Sequence, residues 1–62
     1  MNARELVVAQ IFQAVVDNGR VQGDGEGGFN PESVETEVEF EARERGCENS
    51  DEIGKAARDM VR

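Results

Sequence analysis

The chain contains no histidine, no tryptophan and no tyrosine, and it has a single proline and a single cysteine. Each shortage excludes something. Without histidine the commonest acid–base group at neutral pH is missing. One thiol and no imidazole cannot build a conventional zinc site. One cysteine, Cys47, forms no internal disulfide, the usual staple of small secreted domains, so a reducing, cytoplasmic setting is expected. No apolar run approaches the roughly 18 residues of a membrane span; the longest, Leu6 to Val16, is broken by Gln10 and Gln13. Glu5 stands where a signal peptide would begin its apolar core, so no signal peptide is expected. With 62 residues the chain is one small domain. A chain of this size buries only about 60% of the surface its unfolded form exposes, which leaves little volume for a deep pocket. Catalysis is not expected, and neither is a cofactor or a metal.

What the chain has in excess is acid. Fourteen Asp and Glu against seven Lys and Arg give a net charge of -7. The charge is concentrated. Residues 1–20 and 43–62 each sum to zero, whereas residues 21–42 hold Asp24, Glu26, Glu32, Glu35, Glu37, Glu39 and Glu41 and no basic residue. Such a field disfavours direct binding to nucleic acid or to an anionic membrane and favours a basic partner.

The first element is predicted as a helix over about residues 3–17. Asn2 and Glu5 have capping-box spacing. Val8, Ile11, Phe12 and Val15 follow the i, i+3, i+4, i+7 rule, and Gly19 suits a left-handed stop. A hairpin turning at Asn18-Gly19 is the rival. Residues 23–30 read as a flexible glycine-rich loop. Gly23-Asp24-Gly25-Glu26-Gly27-Gly28 spells G-x-G-x-x-G, but no helix opens directly after it, and Asp24 and Glu26 would repel a pyrophosphate. It also lacks the carboxylate ladder of an EF-hand calcium loop.

Residues 33–42 carry two patterns at once. Val34, Thr36, Val38, Phe40 and Ala42 alternate with Glu35, Glu37, Glu39 and Glu41, as on a strand with one buried face. The flanks are helical: Asn30 as cap, Pro31 at the first position, Phe29 stapled onto Val34, i, i+4 pairs Glu39–Arg43 and Glu41–Arg45, and Gly46 as stop. Periodicity predicts a strand. A final helix is expected over about 51–61, capped by Asn49 or Ser50, with Ile53, Ala56, Ala57 and Met60 as its apolar stripe. Gly54 weakens that helix by about 1 kcal/mol relative to Ala and leaves room for close packing.

The predicted fold is thus α+β: helix, acidic loop, strand with Arg20-Val21-Gln22 as a short mate, helix. Its open edge invites a second copy and a homodimer. The alternative is an all-α three-helix bundle with 31–45 helical. Phe12, Val15, Val38, Phe40, Ile53 and Met60 are expected in the core. Arg43-Glu44-Arg45-Gly46-Cys47 running into Ser50-Asp51-Glu52 resembles the final strand, Gly-Cys turn and helix of HicB-type antitoxin domains over about 20 residues. That family's Gly-Asp-Thr run is absent, and no residue roles are carried over.

On a strand, Glu35, Glu37, Glu39 and Glu41 stand about 6.6–6.8 Å apart on one face. Asp24, Glu26 and Glu32 extend the row. The expected function is therefore that of a small acidic inhibitor. It imitates nucleic acid and occupies the basic site of a nucleic-acid-binding protein, as short phage-encoded anti-defence proteins do, anti-CRISPR proteins among them. These seven acids are the candidate partner-binding residues. The alternative is a small regulatory or assembly module, antitoxin-like, that docks through apolar helix faces. Mutual repulsion of the seven acids predicts stability that rises as pH falls from 7 toward about 5.

Overall fold

Three helices and no strand make up the described residues, 3–23 and 28–61, of a computed structural model of the chain. Helix α1 spans Ala3–Asp17, α2 spans Pro31–Glu44 and α3 spans Ser50–Met60. The α+β expectation is thereby corrected, and the three-helix alternative is the fold.

The strand expected over 33–42 is the interior of α2, and its ends explain why. Asn30 accepts hydrogen bonds at its side-chain oxygen from the backbone N–H of Glu32 (2.9 Å) and Ser33 (3.3 Å), with Pro31 opening the helix. At the other end the Cys47 N–H donates to the Ala42 carbonyl and the Gly46 N–H to the Arg43 carbonyl, each at 3.0 Å. This is a Schellman stop, and Gly46 takes the left-handed φ of 81° that it requires. The same pair of bonds ends α1, from Arg20 to Val15 and from Gly19 to Val16, with Gly19 at φ 70°. Helix α1 thus forms, and the hairpin rival at Asn18-Gly19 does not. Its expected cap, Asn2, lies outside the described residues.

A strand at 33–42 would also have needed a mate. The segment after Gly19 supplies none: Val21 turns into the core, 5% exposed, and the only β-bridge among the described residues is Gly23 to Phe29. Without an open strand edge, the homodimer expected through it loses its basis. Residues 24–27, the middle of the expected flexible loop, lie outside the described residues. The segment that resembles a HicB-type final strand is the last turn of α2 and its stop.

The core is built from small residues. Val8, Ile11, Val15, Val21, Val34, Val38, Ala42, Ile53 and Ala57 are buried, with Phe12, Phe29, Cys47, Ala56 and Val61 packed partly against them. Val34, Val38 and Ala42 recur every four residues and are all 0% exposed, so α2 buries one narrow stripe. Phe12 and Phe29 meet edge to face, ring centroids 5.6 Å apart, and so tie α1 to the entry of α2. Of the six residues expected inside, Val15, Val38 and Ile53 are buried and Phe12 is half-buried. Phe40 and Met60 are 51% and 57% exposed. On α2 Phe40 points away from the valine stripe; on a strand it would have shared its face.

The α2–α3 interface is the most extensive of the three helix pairs. Gly54 permits it. A Cβ there would lie 2.8 Å from the Glu35 carbonyl oxygen and 3.0 Å from Glu39 Cβ. Helix α3 starts at Ser50 with Asn49 in the cap position. The Asn49 side chain makes no cap hydrogen bond, and its carbonyl accepts from Ile53 N–H at 3.0 Å.

Candidate functional site

The α-helix rearranges the row of acids. At about 100° per residue, Glu35 and Glu39 fall on one side of α2 and Glu37 and Glu41 on nearly the opposite side. The continuous carboxylate face expected from the alternation does not exist. Its parts meet arginines instead. Glu35 accepts a hydrogen bond from Arg58 Nη1 at 3.0 Å, across the α2–α3 interface. Arg20, from the turn after α1, donates to Glu37 through Nε at 2.8 Å and to Glu41 through Nη1 at 2.7 Å. Its guanidinium also lies 5.1 Å from the centre of the Phe40 ring. Arg45 closes on the second oxygen of Glu41 at 2.9 Å, the expected i, i+4 pair. No such contact joins Glu39 to Arg43. Glu39 is half-buried beside Gly54 and pairs with no described residue.

Of the seven acids singled out from the sequence, only Glu32 is both described and fully on the surface. It lies in the first turn of α2, where the helix dipole favours negative charge. Asp24 and Glu26 lie outside the described residues. Glu44, at the far end of α2, is exposed and pairs with no described residue, as do Glu48 and Asp51 beyond it. Alternation pointed away from these three, because they sit outside the periodic run. At the N-terminal ends of α1 and α3, Arg4 pairs with Glu52 at 2.9 Å with both side chains more than half exposed.

Glu41 is the most strongly bound of the carboxylates. Its side chain is 19% exposed and receives two guanidinium groups. The hydrogen bond from Arg45 leads in holding its pKa below the ordinary value of 4.5; burial opposes this, and the charge of Arg45 and the contacts of Arg20 add to it. A carboxylate with a depressed folded pKa contributes stability that is complete above its unfolded pKa and is lost as pH falls through the folded value. For Glu41 that window lies below 4.5. The expectation of stability rising toward pH 5 assumed seven unpaired, mutually repelling acids, and the arginine contacts of Glu35, Glu37 and Glu41 remove that premise. Melting temperatures of the parent and of Glu41→Gln, measured from neutral to acid pH, are expected to differ most above 4.5 and to converge below it. A gap that widens on acidification would contradict the arginine clamp.

Large apolar side chains also reach the surface. Leu6 is 49% and Val7 39% exposed on α1, and Phe40 and Met60 are the exposed apolar residues of α2 and α3. Helical periodicity placed Met60 inside, and no signal in the sequence marked it as exposed. Among the described residues no group of three or more Cys, Asp or Glu is arranged to hold a metal ion, and no helix is long and apolar enough to cross a membrane. No protein-family model, curated protein or solved structure matches the chain.

Proposed function

We propose that the chain is a protein-binding inhibitor: it docks on a basic, nucleic-acid-binding partner and blocks the surface that partner uses for nucleic acid. It is of the same general kind as the short acidic anti-defence proteins, anti-CRISPR proteins among them. The supporting observation is electrostatic. Helix α2 carries six glutamates against Arg43 alone, in a chain of net charge -7. Arg20 and Arg58, from other segments, neutralise Glu35, Glu37 and Glu41, while Glu39 is half-buried against α3. Glu32 and Glu44 at the two ends of α2, with Glu48 and Asp51 after it, remain to meet a partner. Such a surface draws in a cationic groove over a Debye length of about 8–10 Å, and its effect is strongest on the association rate.

The test is reversal of Glu32 and Glu44 to Lys. Both side chains are exposed and pair with no described residue, so the melting temperature is expected to stay within a few degrees of the parent, as for surface substitutions generally. Capture of the partner from a host lysate should fall, more so at about 50 mM than at about 500 mM salt. Added DNA or RNA should compete with the parent protein for the captured partner. Capture that ignores both the reversal and the competitor would favour the second reading, an antitoxin-like regulatory or assembly module held by apolar contact. The exposure of Leu6, Val7 and Met60 supports that reading.

A further inference from the structure

Asn18-Gly19, the rival hairpin turn of the sequence, serves in the fold as the stop of α1. The pair also carries reactive chemistry. Of the asparagines at positions 2, 18, 30 and 49, only Asn18 is followed by glycine, and Asn30 is followed by Pro31, which has no backbone N–H to react. Glycine has no Cβ to shield its backbone nitrogen. Space around Gly19 is open, since a Cβ built there would meet nothing within 4 Å. Asn18 is exposed to water. In the closed stop the nitrogen that could attack its side chain is held elsewhere: the Gly19 N–H donates to the Val16 carbonyl at 3.0 Å, and the Asn18 N–H to the Ala14 carbonyl at 3.0 Å. What keeps the stop closed lies just beyond it. Arg20 is clamped to Glu37 at 2.8 Å and to Glu41 at 2.7 Å, and Val21 is buried.

We propose that Asn18-Gly19 is a self-modification site, deamidated by water at a rate set by opening of the α1 stop, and that its isoaspartyl product frees Glu37 and Glu41 from Arg20. The Gly19 nitrogen gives up its proton to a water-derived base and attacks Asn18 Cγ. A new N–Cγ bond closes a cyclic imide, the old Cγ–amide bond breaks, and the amide nitrogen leaves as ammonia, protonated by solvent. Water then adds to one of the two imide carbonyls and opens the ring. Aspartate forms when the new N–Cγ bond breaks, and isoaspartate when the original peptide bond breaks. In sum one water is taken up and one ammonia released, with no change of oxidation state. Either product adds a carboxylate beside Asp17, at the helix end where the dipole disfavours it and where the last turn of α1 has no basic residue. Isoaspartate also routes the chain through the side chain, which adds a methylene between residues 18 and 19. The hydrogen bonds from Gly19 to Val16 and from Arg20 to Val15 then lose their common register. Arg20 is drawn off α2, and the two glutamates it held are released. None of this depends on what the chain binds.

The test ages the full chain at neutral pH, folded and in guanidinium chloride, and follows its intact mass, with fragment ions locating the site. The folded chain should convert at Asn18 at least about tenfold more slowly than the unfolded chain, the ratio reporting local opening of the stop. Arg20→Gln removes the clamp and should speed conversion of the folded chain several-fold. Asn18→Gln, which would have to close a larger ring, should stay unconverted and melt within a few degrees of the parent. The isoaspartyl form, separated by ion exchange, should melt below the parent and lose the slowly exchanging Arg20 Nε–H signal in nitrogen–proton spectra. Asn18→Asp has the added charge without the methylene and should keep that signal. Equal rates in the folded and unfolded chain, no conversion of the folded chain on prolonged ageing, or an Arg20→Gln rate equal to the parent's would overturn the gated site. An isoaspartyl form that keeps the Arg20 signal would overturn the release of Glu37 and Glu41.

Discussion

Gly54→Ala is expected to destabilise the protein, although alanine is the better helix former by about 1 kcal/mol. In an exposed helix the substitution would stabilise. Here the added methyl would sit 2.8 Å from the Glu35 carbonyl oxygen and 3.0 Å from Glu39 Cβ. That carbonyl belongs to the interior of α2, where the helical hydrogen bonds hold it in place. The methyl cannot be accommodated by a side-chain rotation, so α3 must move outward. Outward movement loosens Ile53 and Ala57, which are buried in the common core. Overpacking of this kind costs about 1–3 kcal/mol, which exceeds the propensity gain. Thermal or urea denaturation of Gly54→Ala beside the parent decides the sign. A variant that melts at or above the parent temperature would mean that α2 and α3 do not approach so closely. The effect is large for this molecule, because burial and chain entropy nearly cancel in scaffolds of its size.

The second large effect is a contrast between two apolar truncations. Ile53→Ala should cost about 2–5 kcal/mol, the range for deleting a buried isoleucine side chain. Ile53 is 2% exposed and belongs to the cluster shared by all three helices. A loss of that order should leave much of the population unfolded at room temperature. Phe40→Ala removes a larger side chain and should cost far less, about 0.5–1 kcal/mol, the scale of an exposed cation–π contact with Arg20. Half of the Phe40 surface is already in water. Circular dichroism at 222 nm, followed with temperature for both variants, separates them. If Phe40→Ala were the more damaging, Phe40 would be a core residue, which residues 31–44 wound as α2 do not allow.

That contrast shows where the sequence was sufficient. The two flanking helices were legible because pattern and punctuation agree. Val8, Ile11, Phe12 and Val15 keep helical spacing and Gly19 follows them; Ile53, Ala56 and Ala57 keep it after Asn49 and Ser50. The left-handed glycines at 19 and 46 both fall at helix stops. In the middle segment the two signals conflict. Alternation from Val34 to Ala42 described a strand, while Asn30-Pro31 and Gly46 described a helix. The caps prevailed because a helix satisfies its own backbone hydrogen bonds, whereas a strand needs a neighbour. The only segment offered as that neighbour buries Val21 in the core.

Composition alone determined that the molecule is small, acidic and without histidine, and residue order alone that its net charge is concentrated between residues 21 and 42. Tertiary structure alone decided how that charge is displayed. Winding residues 31–44 at 3.6 per turn instead of 2 sends alternate glutamates to opposite sides. Once there, Glu37 and Glu41 come within reach of Arg20, and Glu35 within reach of Arg58. Those arginines lie 17 to 23 residues away along the chain. Local spacing carries no information about which distant arginine will arrive; only the packing of the three helices brings them together.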